Sequence, residues 1–439
     1  MRHSLLLLSI FTIVVLSTFV SGQPASLTPR ERSIVEHIDK RNSAAIALLE
    51  RAVNINSGTQ NFAGVGDVGK LFAAEFERLG FRTRWVDGAP FKRAGHLIAE
   101  RPGPGRKFLL IGHLDTVFEP SSPFQKFERI DETKARGPGA IDMKGGIVIM
   151  LHALEALEAV GALKNMNVTV VLNGDEESAG EPQDLARAAL VEAAKGAAVA
   201  IGFEDGAGDP RTAVIGRRGT TAWTLKVTGK PAHSSQIFRD DIGYGAIFEA
   251  ARILNQFREK LAGERYLTFN PSLVLGGTSV EFDIVQARGT AFGKDNVIPE
   301  HVVVSGDLRA LSREQFESAR KRMTEIVNSS SLPHTKAEIT FDEGYPPLAP
   351  TDGNRRLLAM YDRASQDINA GPVTAVDPQR AGAADVSFVA DQVPMILDGI
   401  GLMGDGGHTV NETADLRTLP SQTKRAALLL YRLATTTTN

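Results

Sequence analysis

The spacing of apolar positions changes several times along the chain, and each change marks an element. At Ser33–Asn54 and Asp67–Leu79 apolar residues recur every three or four positions, which predicts amphipathic helices. Compact apolar runs at Arg82–Val86, His96–Glu100 and Lys107–Val117 predict strands. The helical period returns in "GGIVIMLHALEALEAVG" from Gly145. After it come a strand in "NVTVVLNGDE", a helix from Asp184 and a strand in "AAVAIGFED" ending at Asp205. Strands that feed helices and come back as continuous apolar runs imply a largely parallel sheet covered on both faces.

After Arg217 the pattern changes to strict alternation. "TTAWTLKVTG", Thr220–Gly229, reads as a half-buried antiparallel strand. A helix is expected from Ile242 to Leu261, strands at Leu267–Leu275 and Val302–Leu308, a helix at Ser312–Val327 and a strand in "KAEITFDEGY". An antiparallel sheet with two helices on one face is the economical arrangement for this block. Helix and strand alternation resumes at "NRRLLAMYDRA", so the block is inserted into the α/β domain. The expected division is 27–216 and 346–439 for a mostly parallel α/β domain and 217–345 for an α+β insertion.

The N-terminus belongs to another class of sequence. Residues 1–22 combine a basic start at Arg2, an apolar run from Leu5 to Val20 and small residues ending at Gly22, the pattern of a cleaved export signal. An uncleaved N-terminal anchor is the alternative, since the apolar run approaches the ~20 residues of a membrane span. The expected location is secreted or periplasmic, with no stable membrane association once the signal is removed. With no cysteine in 439 residues, neither disulfides nor an acylated N-terminal cysteine can form. A net charge of −3 with scattered Lys and Arg argues against a nucleic-acid partner.

Candidate chemistry falls at strand ends and in glycine-rich loops, where ligand sites of such sheets belong. "GHLDTV" supplies His113 and Asp115, two apart on one strand face. "GPGAIDMKGG" supplies Asp142, "GDEES" supplies Glu176 and Glu177, "GFEDG" supplies Glu204 and Asp205, and "GDGGHTVNE" supplies His408. The glycines around Asp142 do not make a phosphate loop, because Lys144 is followed by Gly145 rather than Ser or Thr. His3, His37, His96, His301 and His334 join no acidic cluster and read as structural or solvated, and His152 lies inside a helix.

In this order the motifs H-x-D-T-V, G-P-G-x-x-D-x-K-G-G, D-E-E, an acid at the next strand end and a late G-x-G-G-H span nearly the whole mature chain. The chain thereby resembles the zinc-dependent exopeptidases and amidohydrolases of clan MH, which include bacterial glutamate carboxypeptidase, aminoacylase, carnosinase and succinyl-diaminopimelate desuccinylase. That resemblance implies two Zn2+ per chain, with Co2+ or Mn2+ as substitutes. It assigns His113 and Glu204 to one ion, Glu177 and His408 to the other, and Asp142 to both. It prefers Glu204 over Asp205, makes Glu176 the general base and gives Asp115 the task of orienting the ligand histidine. Elementary chemistry agrees: a carboxylate shared by two cations offsets their repulsion, and adjacent residues project apart, so Glu177 can bind metal while Glu176 stays free to move a proton.

The inserted block carries further implied roles. "GKPAHSS" places His233 where the family has a lid histidine that reaches across a dimer interface, and Asn296 and Arg309 match lid residues that hold a substrate carboxylate. A homodimer through the lid is therefore expected. "RAGAADVSF", Arg380–Phe388, departs from the family's usual Gly-Gly-Thr-Asp-like run and keeps Asp385. The expected activity is cleavage of an amide or peptide bond beside a free carboxylate, as a carboxypeptidase or dipeptidase. The alternative is deacylation of N-acyl amino acids.

Overall fold

The computed structural model describes residues 27–284, 288–329 and 331–436. The expected export signal at 1–22 lies outside these residues. Two helices open the chain, α1 (Pro29–Val53) and α2 (Phe62–Arg78). Each begins earlier than its apolar period suggests, because caps set the start. Thr28 and Glu31 form a reciprocal capping box on α1, and the Asn61 side chain accepts from Gly64 N on α2.

Strands β1 (Arg82–Asp87), β2 (Gly95–Arg101) and β3 (Lys107–His113) follow. Next come α3 (Gly145–Ala159), β4 (Asn167–Asn173), α4 (Gln183–Ala194) and β5 (Ala197–Gly202). The lid contains β6 (Gly219–Gly229), α5 (Gly245–Leu261), β7 (Thr268–Gly277), β8 (His301–Ala310), α6 (Arg313–Asn328) and β9 (Thr335–Phe341). The chain ends with α7 (Asp352–Asp367), β10 (Ile396–Leu397) and α8 (Thr418–Thr435).

Six strands form the main sheet in the order β1-β2-β4-β3-β5-β10. The pairs β4/β3, β3/β5 and β5/β10 are parallel, while β1/β2 and β2/β4 are antiparallel. The parallel part is therefore central, with an antiparallel hairpin along one side, a direction that apolar runs alone do not specify. Alternate residues bury on opposite faces. Leu110, Val170 and Leu172 pack with α1, α3 and α8, whereas Leu109, Ile111 and Val171 pack with Leu190 of α4 and Val386. Both faces are thus dry, which explains the continuous apolar runs.

The lid is an antiparallel sheet in the order β7-β8-β6-β9. Trp223, Leu225 and Val227 of β6 and Val302 and Val304 of β8 point to one face and pack against Ile253 and Phe257 of α5 and Met323 of α6. This is a core of its own, separate from the main sheet's two layers. Among the described residues no helix is long and apolar enough to cross a membrane.

His96 shows what a histidine outside any acid cluster does here. It is fully buried and stacked on Phe91 with centroids 4.9 Å apart; Gly174 N donates to its Nδ1 at 3.2 Å, and its Nε2 bonds Ala186 O at 2.8 Å. The ring is therefore neutral with the proton on Nε2. Burial lowers its pKa below 6.5, against the pull of Asp175. A lowered imidazole means the unfolded chain takes the proton first. Its contribution to stability is present above the unfolded value and is lost as pH falls through the folded one. The urea midpoint should drop between about pH 7.5 and about pH 5, and His96→Asn should make that drop smaller; an equal drop in both proteins would contradict this role.

Candidate active site

Every strand end of the central parallel part delivers a polar side chain to one region. His113 ends β3 and is buried. The loop before α3 brings Asp142 in from the other side. Its shape has a clear cause: the buried carboxylate of Glu412 accepts from Gly139 N at 3.0 Å, Ile141 N at 2.8 Å and Asp142 N at 3.4 Å. The pair of glycines that follows is equally constrained, since a Cβ at Gly146 would stand 1.9 Å from the carbonyl oxygen of Phe203. The start of α3 thereby touches the strand end that carries Glu204.

Beyond β4 the three consecutive acids part company. Asp175 turns inward, fully buried, and meets Arg187 Nη1 at 2.6 Å. Glu176 and Glu177 remain half-buried at the site, and their amides donate to the Asp115 carboxylate at 3.0 and 3.1 Å. Thr59 Oγ1 completes the Asp115 shell at 2.7 Å. The far nitrogen of His113 lies 3.0 Å from the Asp115 backbone oxygen and 3.5 Å from its carboxylate. The carboxylate is aimed at the Glu176–Glu177 amides, so one residue steadies both the histidine and the acidic loop.

Five side chains then converge. His113 Nε2 lies 3.0 Å from Asp142 Oδ1 and 3.4 Å from Glu204 Oε1. His408 Nε2 lies 2.9 Å from Asp142 Oδ2 and 3.1 Å from Glu177 Oε2. These make two groups able to hold a metal ion, His113 with Asp142 and Glu204, and Asp142 with Glu177 and His408. Donors placed tetrahedrally at zinc's bond lengths of ~2.0–2.1 Å would stand about 3.3 Å apart, so these spacings fit. Imidazole and carboxylate donors also suit the ion type. His408 sits at φ 63°, a left-handed backbone uncommon for a side-chain-bearing residue, which here aims its ring at the acids.

The charges are interdependent. Burial opposes ionisation of Asp142, but hydrogen bonds from His113 and His408 outweigh it and hold the carboxyl far below the usual range. Hydrogen bonds to Asp142 and Glu177 raise His408 to about 11. Burial raises Glu204 to about 8, against the attraction of His113. Glu176 is pushed well up by burial, and among the described residues its carboxylate has no hydrogen-bond partner. Asp205 is raised to about 7 by burial and the nearby Asp142 charge, and it belongs to neither ligand group.

Several contributors to the site escape sequence reasoning. Glu412 lies only four residues past His408, yet its partners are 270 to 273 residues earlier in the chain, and one Glu in a loop gives no signal. Asp398 supports Glu204 N at 3.4 Å and pairs with the buried Arg217 at 2.7 Å. Lys144 is buried, donates to Ile55 O at 3.0 Å and is lowered to about 7 by burial, against the pull of Glu412. Asp385, the acid retained in the divergent run, joins Asn173 at 2.6 Å and Arg187 at 2.9 Å.

A model of peptidase family M20/M25/M40 matches residues 109–434, which include all five converging side chains. The chain belongs to this family. As an M20 protein it is a metal-dependent peptidase or amidohydrolase. Carboxypeptidase G2 of Pseudomonas sp. (strain RS-16) is 27% identical over 425 residues, covering 96% of each chain. Succinyl-diaminopimelate desuccinylase of Magnetococcus marinus is 25% identical over 403 residues, covering 88% of this chain and 98% of that one. The fold is that of the aminopeptidase PepT from Bacillus cereus, with a TM-score of 0.72, 19% identity, and 90% and 99% of the two chains covered.

Of the expected lid residues, His233 belongs to neither ligand group. His233 is exposed and bonds Ser235 Oγ at 2.8 Å. Asn296 lies beside it, with Ser234 N donating to Asn296 O at 2.9 Å. Arg309 sits near the end of β8, paired with Asp307 at 2.8 Å. Its charge, after burial, helps lower the pKa of the neighbouring Arg218, so two guanidinium groups lie close together.

Proposed function

We propose that this protein is an exported dinuclear zinc hydrolase that cuts an amide or peptide bond beside a free carboxylate, as a carboxypeptidase or dipeptidase. The observation that carries this reading is the division of Asp142: one oxygen faces His113 at 3.0 Å and the other faces His408 at 2.9 Å. A carboxylate so placed could serve two cations at once. His113 and Glu204 would hold one ion, Glu177 and His408 the other. When bound, the ions supply Lewis acidity and make a water acidic enough to attack near neutral pH. Zinc suits the donors, and Co2+ or Mn2+ would fit the same set.

The chain's own residues do the rest. Glu176 takes a proton from the attacking water and returns it to the leaving nitrogen, so no net proton stays on the protein over a turnover. Its freedom from hydrogen bonds leaves its oxygens available for that shuttle. Arg309, helped by Asn296, would bind the substrate carboxylate through parallel N–H donors, and His233 would donate to the carbonyl oxygen as negative charge develops. His233 joins neither ligand group, which supports either lid closure or delivery by a second subunit. A homodimer through the lid is supported by β7, an edge strand of its sheet, and by the exposed Ile247 and Phe248 of α5 and Val274 of β7. Export is supported by the signal pattern of residues 1–22.

The carboxypeptidase relative favours a C-terminal amino acid as leaving group. The desuccinylase relatives favour the second reading, removal of an acyl group from an N-acyl amino acid, by the same water attack. Purified mature protein should contain two metal ions per chain, lose activity to a chelator and recover it with Zn2+. A panel of dipeptides and N-acyl amino acids then separates the two readings by kcat/KM. Full activity in metal-free protein would overturn both.

A further inference from the structure

Two short segments join the lid to the catalytic domain, and they lie side by side. Arg217 N and Leu348 N each donate to the other's carbonyl at 2.9 Å, and Thr220 N donates to Tyr345 O at 2.9 Å. Their approach is too close for side chains on the facing glycines: a Cβ at Gly219 would lie 2.6 Å from Tyr345 O, and one at Gly344 would lie 2.0 Å from Thr220 O. A few residues at element ends commonly absorb the rotation when a domain closes over its partner.

Both segments bond to loops that carry site residues. On the first, Arg217 Nε donates to Asp398 Oδ2 at 2.7 Å, and Asp398 Oδ1 accepts from Glu204 N at 3.4 Å. On the second, the Tyr345 hydroxyl donates to the backbone oxygen of Glu176 at 2.8 Å and accepts from Arg187 Nη2 at 2.8 Å. Arg187 is itself fixed by Asp175 at 2.6 Å and Asp385 at 2.9 Å, and the Tyr345 ring stands edge-on to Phe388 with centroids 5.0 Å apart. Tyr345 thus belongs to the hinge by its backbone and to the acidic loop by its side chain.

The Glu176 carboxylate has no hydrogen-bond partner among the described residues, so no such bond fixes it and the backbone sets only where the side chain starts. That backbone is gripped from two sides. Asp115 takes the amides of Glu176 and Glu177, while Tyr345 and Arg187 take the carbonyls of Glu176 and Asp175. We propose that Tyr345 is a positioning residue for Glu176, coupling the angle of the lid hinge to the placement of the base. Rotation about the paired segments moves the hydroxyl that holds the Glu176 carbonyl. The base is then aligned in one lid position and turned away in others. This rests on the reading of Glu176 as general base given above.

Tyr345→Phe is the test, because it keeps the ring against Phe388 and the backbone pair with Thr220 while removing the hydroxyl. The best substrate from the panel is used with zinc-loaded, full-length mature protein. Turnover should fall about tenfold, as expected when a buried carbonyl loses its donor and a reacting group shifts. KM should stay within about twofold and metal content should match the wild type, with a melting temperature lower by no more than a few degrees for the lost bonds, a split that general destabilisation does not produce. An active wild type with an equally active Tyr345→Phe variant would overturn this proposal alone. So would a variant whose metal content or melting temperature falls in step with its turnover. A wild type without metal-dependent hydrolysis of any panel substrate would overturn the reading of Glu176 and this proposal with it.

Discussion

Glu176→Gln will retain two metal ions per chain and lose about 10²–10⁴-fold in turnover, the cost of removing a general base. Glutamine has nearly the same shape and sits in the same half-buried place, so the Asp115 hold on the loop amides is kept. What is lost is the ability to accept and return a proton. Glu177→Gln, one residue on, changes a member of the His408 ligand group instead, at 3.1 Å from His408 Nε2. It should weaken metal binding first and turnover as a consequence. Metal analysis beside kcat for both variants decides the matter: equal metal loss in the two would show that the roles within the pair are wrongly divided.

A loss of similar size, with a loss of metal, is expected at Asp142. The substitution Asp142→Asn keeps one side-chain oxygen and replaces the other by an amide nitrogen that donates rather than accepts. One of the two histidine groups would lose one of its two carboxylate donors, and the shared negative charge between the two groups would be gone. The variant should therefore bind at most one ion tightly. Losing metal stabilisation worth several kcal/mol in the transition state corresponds to about 10³-fold or more in turnover. Zinc titration by calorimetry should show the stoichiometry falling from two to one. A variant that still binds two ions with wild-type affinity would defeat the shared-carboxylate reading.

The legible parts of this protein are those in which neighbours in sequence are neighbours in space. Lid β6 was readable because Trp223, Leu225 and Val227 alternate with Ala222, Thr224, Lys226 and Thr228, and α3 because its apolar run is unbroken. His113, Asp142, Glu177, Glu204 and His408 stood out because each ends a strand or occupies a glycine-rich loop. Asp175, by contrast, stands in the same acidic run as Glu176 and Glu177, and nothing local announces its partner. Only the fold shows it turned toward Arg187. Glu412, Asp398 and Tyr345 act through partners 169 to 273 residues away, and no local pattern records such pairings. Strand direction was hidden for a similar reason. The apolar run of β2 reads alike whether its neighbour β4 runs with it or against it, and it runs against it.

The pairing of Thr220 with Tyr345 also bears on how such a protein can be rebuilt. Chain entry and exit for the whole inserted block stand at one point, so the block is a cassette with a single socket. Different inserts could be exchanged there without threading a new chain through the main sheet, provided the joints fall after Thr220 and before Tyr345. A splice at Gly216 would cut away the Arg217 anchor on Asp398, and one at Leu348 would remove the tyrosine as well. The boundary that matters for grafting is thus set by which residues the catalytic half keeps hold of.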